Sequence, residues 1–465
     1  MTIEAVEAPS EHEDGGHGSK SHMIFNEGII IVFLMLCIYV GFEAFKHKKQ
    51  LSFGHEASLV TLIGFGISYA FQMSRSEKEF GDLMKFSDDL FFYFCLPPIV
   101  FASGFNMQRK KFFENIRNII LFGLVGTIIA FISFSFMTIL YKDYIGEMTQ
   151  VDGATGVTTM LDLSTIEIII MCSLLCSTDV IAAVSLIKPD KQPKLFSLVF
   201  GEGITNDAVS IILFNTVINF SKSNESFSAG STLEITTEFI TLGFRSIGVG
   251  VLFAVAATLL LKNVRALTKS AVSESAAIFA FAYVSYVLAE LWHLSGIIAL
   301  LVCSVVMANY AWYNLSPQGK QSSVVIFAFL GQVAEAFVFS YLGLTFFSYS
   351  TYSWSTDLII LELCVVMLGR FLATFGLIGL LKICRYEKHN PKRITCKELL
   401  FIWYAGLIRG AIAFGLVLRI DKDVSNRGVI VTTCLTLVVF TTIFFGSTVG
   451  LLGKCLFKGE DEAKT

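Results

Sequence analysis

The sequence predicts an all-α polytopic membrane protein: about thirteen transmembrane helices in two inverted six-helix repeats with discontinuous crossing helices. Three observations predict it: an apolar composition, a charge asymmetry between alternate loops, and two spans interrupted at their centres. Of 465 residues, 54% are hydrophobic and 16% are charged, and 35 basic against 38 acidic residues leave a net charge of -3. Soluble domains carry about 25% charged residues. The composition therefore excludes an ordinary cytosolic enzyme, a nucleic-acid binder with a basic face and a disordered chain. Phe is abundant, and the apolar runs are continuous rather than alternating, which excludes an outer-membrane barrel.

A bilayer-crossing helix needs about 20 mostly apolar residues. Thirteen segments qualify, at 24–45, 57–73, 88–105, 117–140, 163–186, 195–219, 235–261, 274–290, 293–309, 324–347, 357–381, 398–419 and 428–453. They are called spans one to thirteen below. Residues 1–23, acidic and lacking a basic leader region, read as a disordered tail. Residues 24–453 read as the membrane domain and 454–465 as a short tail. Odd-numbered loops hold 20 Lys and Arg, against seven in even-numbered loops. By the positive-inside rule the C-terminus is cytosolic and the N-terminus lumenal or extracellular. Asn224 is then an outer-side glycosylation acceptor.

Ten Cys sit mostly singly in apolar runs, where they act as small hydrophobes, and seven His show no metal-ligand spacing. No nucleophile–base motif or phosphate loop is present. No enzyme activity and no cofactor are expected. The mid-span charges are more informative. Arg370 and Arg409 lie mid-span, as do Asp179, Glu202, Asp207, Glu335 and Glu362, whereas Arg245 and Arg419 sit near span ends where snorkelling suffices. Each central charge costs about 2.5–3.5 kcal/mol on insertion scales. Ion pairs bracing a bundle account for the two Arg and two acids, leaving three acids over. Unpaired carboxylates at membrane depth imply protons or cations as ligands.

Spans five and twelve carry polar or Gly-bounded patches, Cys176-Ser177-Thr178-Asp179 and Gly406-Leu407-Ile408-Arg409-Gly410. They are seven spans apart, an odd separation that gives them opposite topologies, as inverted repeats require. Span six has the densest polar patch, Glu202-Gly203-Ile204-Thr205-Asn206-Asp207. Glu202 and Asn206 are four apart and share a helix face; Asp207 is turned about 100° from Asn206. Asp207 is expected to point at the span-five break, where it holds either a proton or a monovalent cation. Taking these in turn couples two fluxes, and one H⁺ for one Na⁺ or K⁺ moves no net charge.

These residues resemble the eukaryotic sodium(potassium)/proton exchangers of the monovalent cation–proton antiporter superfamily. The resemblance runs from about residue 24 to 453 and rests on Phe200-Gly201-Glu202 with Asn206-Asp207, on Thr178-Asp179, and on Phe91-Phe92-Tyr93-Phe94-Cys95-Leu96-Pro97-Pro98. It also rests on Glu290-Leu291-Trp292-His293, on Ala334-Glu335, and on Gly406-Leu-Ile-Arg409-Gly410. It implies that Asp207 carries the ion and proton, that Ser177, Thr178 and Asp179 complete a Na⁺ or K⁺ shell, and that Asn206 marks the electroneutral branch. It further implies that Glu202 pairs with Arg370 and orients Asn206, that Arg409 stabilises the half-helix ends, and that Glu335 is a coupling charge. Phe91, Phe92, Leu96, Pro97 and Pro98 resemble an inhibitor-binding segment. Spans one to three and seven to ten would form the scaffold of a homodimer embedded in membrane lipid, with the rest moving as a core. Gly203 stands where many animal members carry Ser. The absence of a long tail argues against calmodulin-type regulation and leaves other regulatory partners unidentified. The run at 342–348 resembles the organellar branch, so an endomembrane (endosome, Golgi or vacuole) is expected, with the plasma membrane as alternative. The expected function is electroneutral antiport of Na⁺ or K⁺ for H⁺ by alternating access, regulating pH and cation content. The alternatives are a K⁺-preferring exchanger of the same fold and a non-transporting scaffold or sensor.

Overall fold

The structure, a computed structural model, describes residues 15–49, 54–74, 88–144, 146–179, 181–184, 187, 192–222, 229–379 and 394–462. Asn224 lies outside them. Every expected span falls on helix, but not as thirteen uniform rods. Among the described residues, eight helices are long and apolar enough to cross a membrane, and three shorter apolar helices, Phe91–Phe105, Thr165–Leu175 and Gly296–Asn309, correspond to spans three, five and nine. Span two is Glu56–Ser74. Span twelve is two pieces, Cys396–Ala405 and Ala411–Leu418.

Local sequence explains where several helices begin. Ser164 and Glu167 form a reciprocal capping box at the start of span five, and Thr395 and Glu398 do the same for span twelve. Each box satisfies two backbone N–H groups that the first helical turn would leave without partners. Ser316 caps span ten and is followed by Pro317, whose missing N–H costs nothing at that position.

Two boundaries differ from expectation. The first helix starts at Gly15, so it takes in part of the segment 1–23 read as disordered, and the last helix runs to Glu462, through most of the short tail. The protein is also not wholly helical. β1 (Met148–Val151) and β2 (Thr158–Leu161) pair antiparallel in the loop between spans four and five, and Val151 bridges to Trp354. Thr- and Val-containing stretches around Asp152-Gly153-Ala154-Thr155-Gly156 form a hairpin; Gly156, at φ +68°, takes a left-handed position that suits glycine. Hydropathy counting does not see so short a ribbon outside the membrane.

The helices sort by packing into two groups. Spans one, two, three, seven, eight, nine and ten pack on one another, with span ten lying along spans two and three. Spans four, five, six, eleven, twelve and thirteen form the second group, with span six against five and span four against eleven. Span two touches span thirteen across the divide. The polar patches of spans five, six and twelve all lie in the second group.

Candidate functional site at the crossing of two broken helices

Span five unwinds after Leu175 and becomes helical again at Ile181. Span twelve unwinds between Ala405 and Ala411. The two interruptions meet: the Asp179 N–H donates to the Ile408 carbonyl at 2.9 Å. Gly410 sits against Asp179, and a Cβ there would lie 2.5 Å from the Asp179 Cβ. The glycine is needed for this close approach rather than for its dihedrals, which are extended. Unwound backbone inside a membrane must find partners within the protein. Span thirteen supplies them: Thr441 accepts from the Arg409 N–H at 3.1 Å, and Thr442 donates to the Arg409 carbonyl at 2.7 Å.

Arg409 was expected to find an acid or to steady span twelve. Its guanidinium instead crosses to span five, donating from Nη1 to the Ser177 carbonyl at 2.9 Å and lying 5.6 Å from the centre of the Phe134 ring. Among the described residues no acid lies within ion-pair distance of it. A cation here satisfies the carbonyl that the first half of span five leaves at its end, where the helix dipole is negative.

On span six, Glu202 and Arg370 form a buried ion pair at 2.7 Å, with side chains 5% and 1% exposed. Asn206 is fully buried. Its amide nitrogen donates to the Thr178 hydroxyl at 2.6 Å, and its oxygen accepts from Thr127 at 2.9 Å and Ser210 at 3.4 Å. Glu202 makes no hydrogen bond to Asn206, so the expectation that it orients this amide is corrected. Thr127, Thr178 and Ser210 hold the amide, because Glu202 is turned toward the guanidinium. Thr127 was not visible as a site residue: a lone Thr in the apolar run Gly126-Thr127-Ile128 carries no signal until span four is packed against span six.

Asp207 faces the span-five break. Its Oδ1 accepts from the Ser177 hydroxyl at 2.6 Å, and among the described residues no Lys, Arg or His lies within ion-pair distance. It opens on a cavity of about 70 Å³ whose lining includes Ser177, Thr178, Asp179, Gly203 and Glu335. The Tyr39 hydroxyl donates to Glu335 at 3.5 Å. A second cavity of about 360 Å³ shares Ile99, Ser103, Phe200 and Glu335 with the first and extends to Glu43, Asn106, Met107 and Gln332. These last residues lie toward the loops rich in Lys and Arg. Of the inhibitor-like segment, Leu96 lines the smaller cavity; Phe91 and Phe92 are fully buried and Pro97 and Pro98 are not among its walls. Among the described residues no group of three His, Cys, Asp or Glu could hold a metal ion. The donors around Asp207 are instead a carboxylate and two hydroxyls. Ser177 and Thr178 each keep lone pairs after their hydrogen bonds, and hard oxygen donors of this kind suit an alkali cation as cargo.

The family described as sodium/hydrogen exchanger, transmembrane, matches residues 58–455. The chain belongs to this exchanger family. It is 31% identical over 450 residues to sodium/hydrogen exchanger 3 of Arabidopsis thaliana, covering 94% of this chain and 84% of that one. It is 32% identical over 433 residues to human sodium/hydrogen exchanger 8, covering 90% and 70%. Among solved structures, the sodium proton antiporter MjNhaP1 of Methanocaldococcus jannaschii superposes with a TM-score of 0.65 at 17% identity, covering 93% of this chain and 98% of that one. That likeness is one of fold. The chain is thus a multi-pass membrane protein of a transporter family, not an enzyme.

Proposed function

We propose that this exchanger family member swaps one monovalent cation, Na⁺ or K⁺, for one H⁺ by alternating access, without moving net charge. The observation that carries this reading is Asp207: a carboxylate in the middle of span six, facing a cavity, with a serine hydroxyl and, among the described residues, no cationic side chain as partner. An acid in that setting is served by a proton or a cation, and the two exclude each other. Asn206 beside it is neutral and Glu202 is paired with Arg370, so span six brings one exchangeable carboxylate to the cavity. Asp179 and Thr178 supply further oxygen ligands, and Glu335 stands where the two cavities join.

The cavities reach the side with the basic loops, which the positive-inside rule makes cytosolic; the conformation is then inward-facing. The packing groups supply what movement needs, a scaffold of spans one to three and seven to ten and a core of the rest, and the scaffold is the surface on which two copies would meet as a homodimer. The run at 342–348 favours an endomembrane.

The test is proton flux in reconstituted vesicles, with Na⁺, K⁺ and Li⁺ imposed in turn and membrane voltage clamped by an ionophore. Cation-dependent, voltage-independent flux is expected. Flux that responds to K⁺ above Na⁺ would select the K⁺-preferring alternative, and absence of any cation-dependent flux would sink the exchange reading in favour of a scaffold.

A further inference from the structure

The side of the crossing away from the cavities is closed by a contact that joins the two packing groups. The second half of span twelve ends at Leu418, and the next residue is Arg419. Its guanidinium lies over the Phe92 ring at 3.5 Å from the centroid, and its Nη1 is 3.8 Å from Glu290 Oε2. Arg419 belongs to the group that holds Asp207. Phe92 and Glu290 belong to spans three and eight of the other group. A snorkelling arginine at a span end would send its head to water; this one lies across a buried ring.

Both partners are fixed in place. Glu290 Oε1 accepts the Gly296 N–H at 3.0 Å, across the tight turn Trp292-His293-Leu294 between spans eight and nine, where His293 has φ 55°. The Phe92 carbonyl accepts from the Tyr286 hydroxyl at 2.8 Å. On the other side, Arg427 donates to the Leu418 and Ile420 carbonyls at 3.4 and 2.8 Å. The end of the half-helix is therefore capped without Arg419. One turn inward, Gly415 lies against the Phe91 ring so closely that a Cβ would overlap it. Below this seal are the cavity-lining residues Ala411 and Ile412.

We infer that Arg419, Glu290 and Phe92 form a releasable latch that holds the lumenal or extracellular side shut while the cytosolic side is open. The inference rests on the alternating-access reading given above. A path to Asp207 from the outer side needs the second half of span twelve to part from spans three and eight, which breaks the ion pair and the cation–π contact together. The Arg419 and Glu290 side chains are 25% and 20% exposed. Water can therefore take over both charges on release, which a fully buried pair would resist. The contact is strong enough to bias the two states and weak enough to be broken in each cycle.

The experiment compares the native chain with Arg419→Gln, Arg419→Lys and the charge exchange Glu290→Arg with Arg419→Glu, all in vesicles with cation supplied from one side at a time. Arg419→Gln should lower the apparent KM for cation on the outer side and raise it on the inner side, each by about three- to fivefold, the worth of one such contact. Lysine, which keeps charge without a planar face, should fall between, and the charge exchange should restore much of the native asymmetry. Equal changes at both faces, or no change, would overturn the latch. A second readout does not depend on transport: hydrogen exchange in detergent at 88–92 and 418–422 should rise in Arg419→Gln and fall back in the charge exchange. Raised exchange in a protein with no flux would keep the latch and remove the antiport reading; native-like exchange in Arg419→Gln would overturn the latch with flux intact.

Discussion

Glu202 and Asp207 are two acids on one helix, five positions apart, and they have opposite surroundings. Glu202 is locked onto Arg370 across 168 residues of sequence at 2.7 Å. Asp207 has the Ser177 hydroxyl at 2.6 Å and a cavity. A buried ion pair rarely stabilises a protein beyond a well-packed apolar substitute, but breaking one is costly, because a charge is left behind in a low-dielectric interior. An acid without a cationic partner is the reverse case: it is tolerable only if something mobile neutralises it. The difference teaches that membrane depth alone does not suit a carboxylate to carry an ion; what suits Asp207 is that no counter-ion stands beside it among the described residues. Glu202 has the surroundings of a brace, and Asp207 those that the proposed exchange asks of a seat.

Several substitutions would break or sharpen that contrast. The largest effect on transport is expected for Asp207→Asn, which keeps shape and the Ser177 hydrogen bond but removes the exchangeable charge. Cation-driven proton flux should fall to the background of empty vesicles while thermal unfolding in detergent stays near native. Retained flux would make the two acids equivalent after all. For Glu202→Gln the pattern should invert, with a stability loss of about 3–5 kcal/mol as Arg370 is left without its counter-charge. Glu202→Leu combined with Arg370→Met should recover much of that loss. Both are read from thermal unfolding, and an undiminished melting temperature in Glu202→Gln would argue that the pair is no brace.

Gly410→Ala tests whether the seat depends on the crossing itself. The added Cβ would meet Asp179 at 2.5 Å, so span twelve must shift away from span five. Overpacking of this kind costs about 1–3 kcal/mol, and flux should fall at least about tenfold; native flux would mean that Asp179 yields freely. The smallest change is expected for Asn206→Asp. It places a second carboxylate beside the first, in reach of Thr127 and Thr178, and should make part of the flux depend on voltage. Voltage-independent flux in this variant would show that Asn206 is not what keeps the exchange neutral.

Much of this was legible in the chain. Continuous apolar runs of about 20 residues marked the helical spans, because in lipid every backbone group must be satisfied within the protein and a helix does so within its own segment. The patches Ser177-Thr178-Asp179 and Gly406 to Gly410 marked both breaks, since a helix that contains polar residues and glycine at its centre loses little by unwinding there. The four-residue spacing of Glu202 and Asn206 was readable too, and the resemblance named Arg370 as the partner of Glu202, but the partners of Asn206 were not readable. The resemblance implied that Glu202 orients Asn206, whereas Thr127, Thr178 and Ser210 hold it. The hairpin at Met148–Leu161 escaped hydropathy counting because it lies outside the apolar runs, and Arg419 looked like an ordinary snorkelling residue.

Sequence by itself determined which segments are helical, where two of them are interrupted, and which seven mid-span charges need an explanation. Only the tertiary structure decided that Thr127, Thr178 and Ser210 hold Asn206, that the cavity beside Asp207 reaches Glu335, and that Arg409 caps a carbonyl of span five instead of pairing with an acid. The physical reason is range. Hydropathy and helix periodicity act between residues within a few turns, whereas a charge is neutralised by whatever lies within about 4 Å in space. For these residues that neighbour is scores to hundreds of positions away, on a helix whose placement no local pattern records.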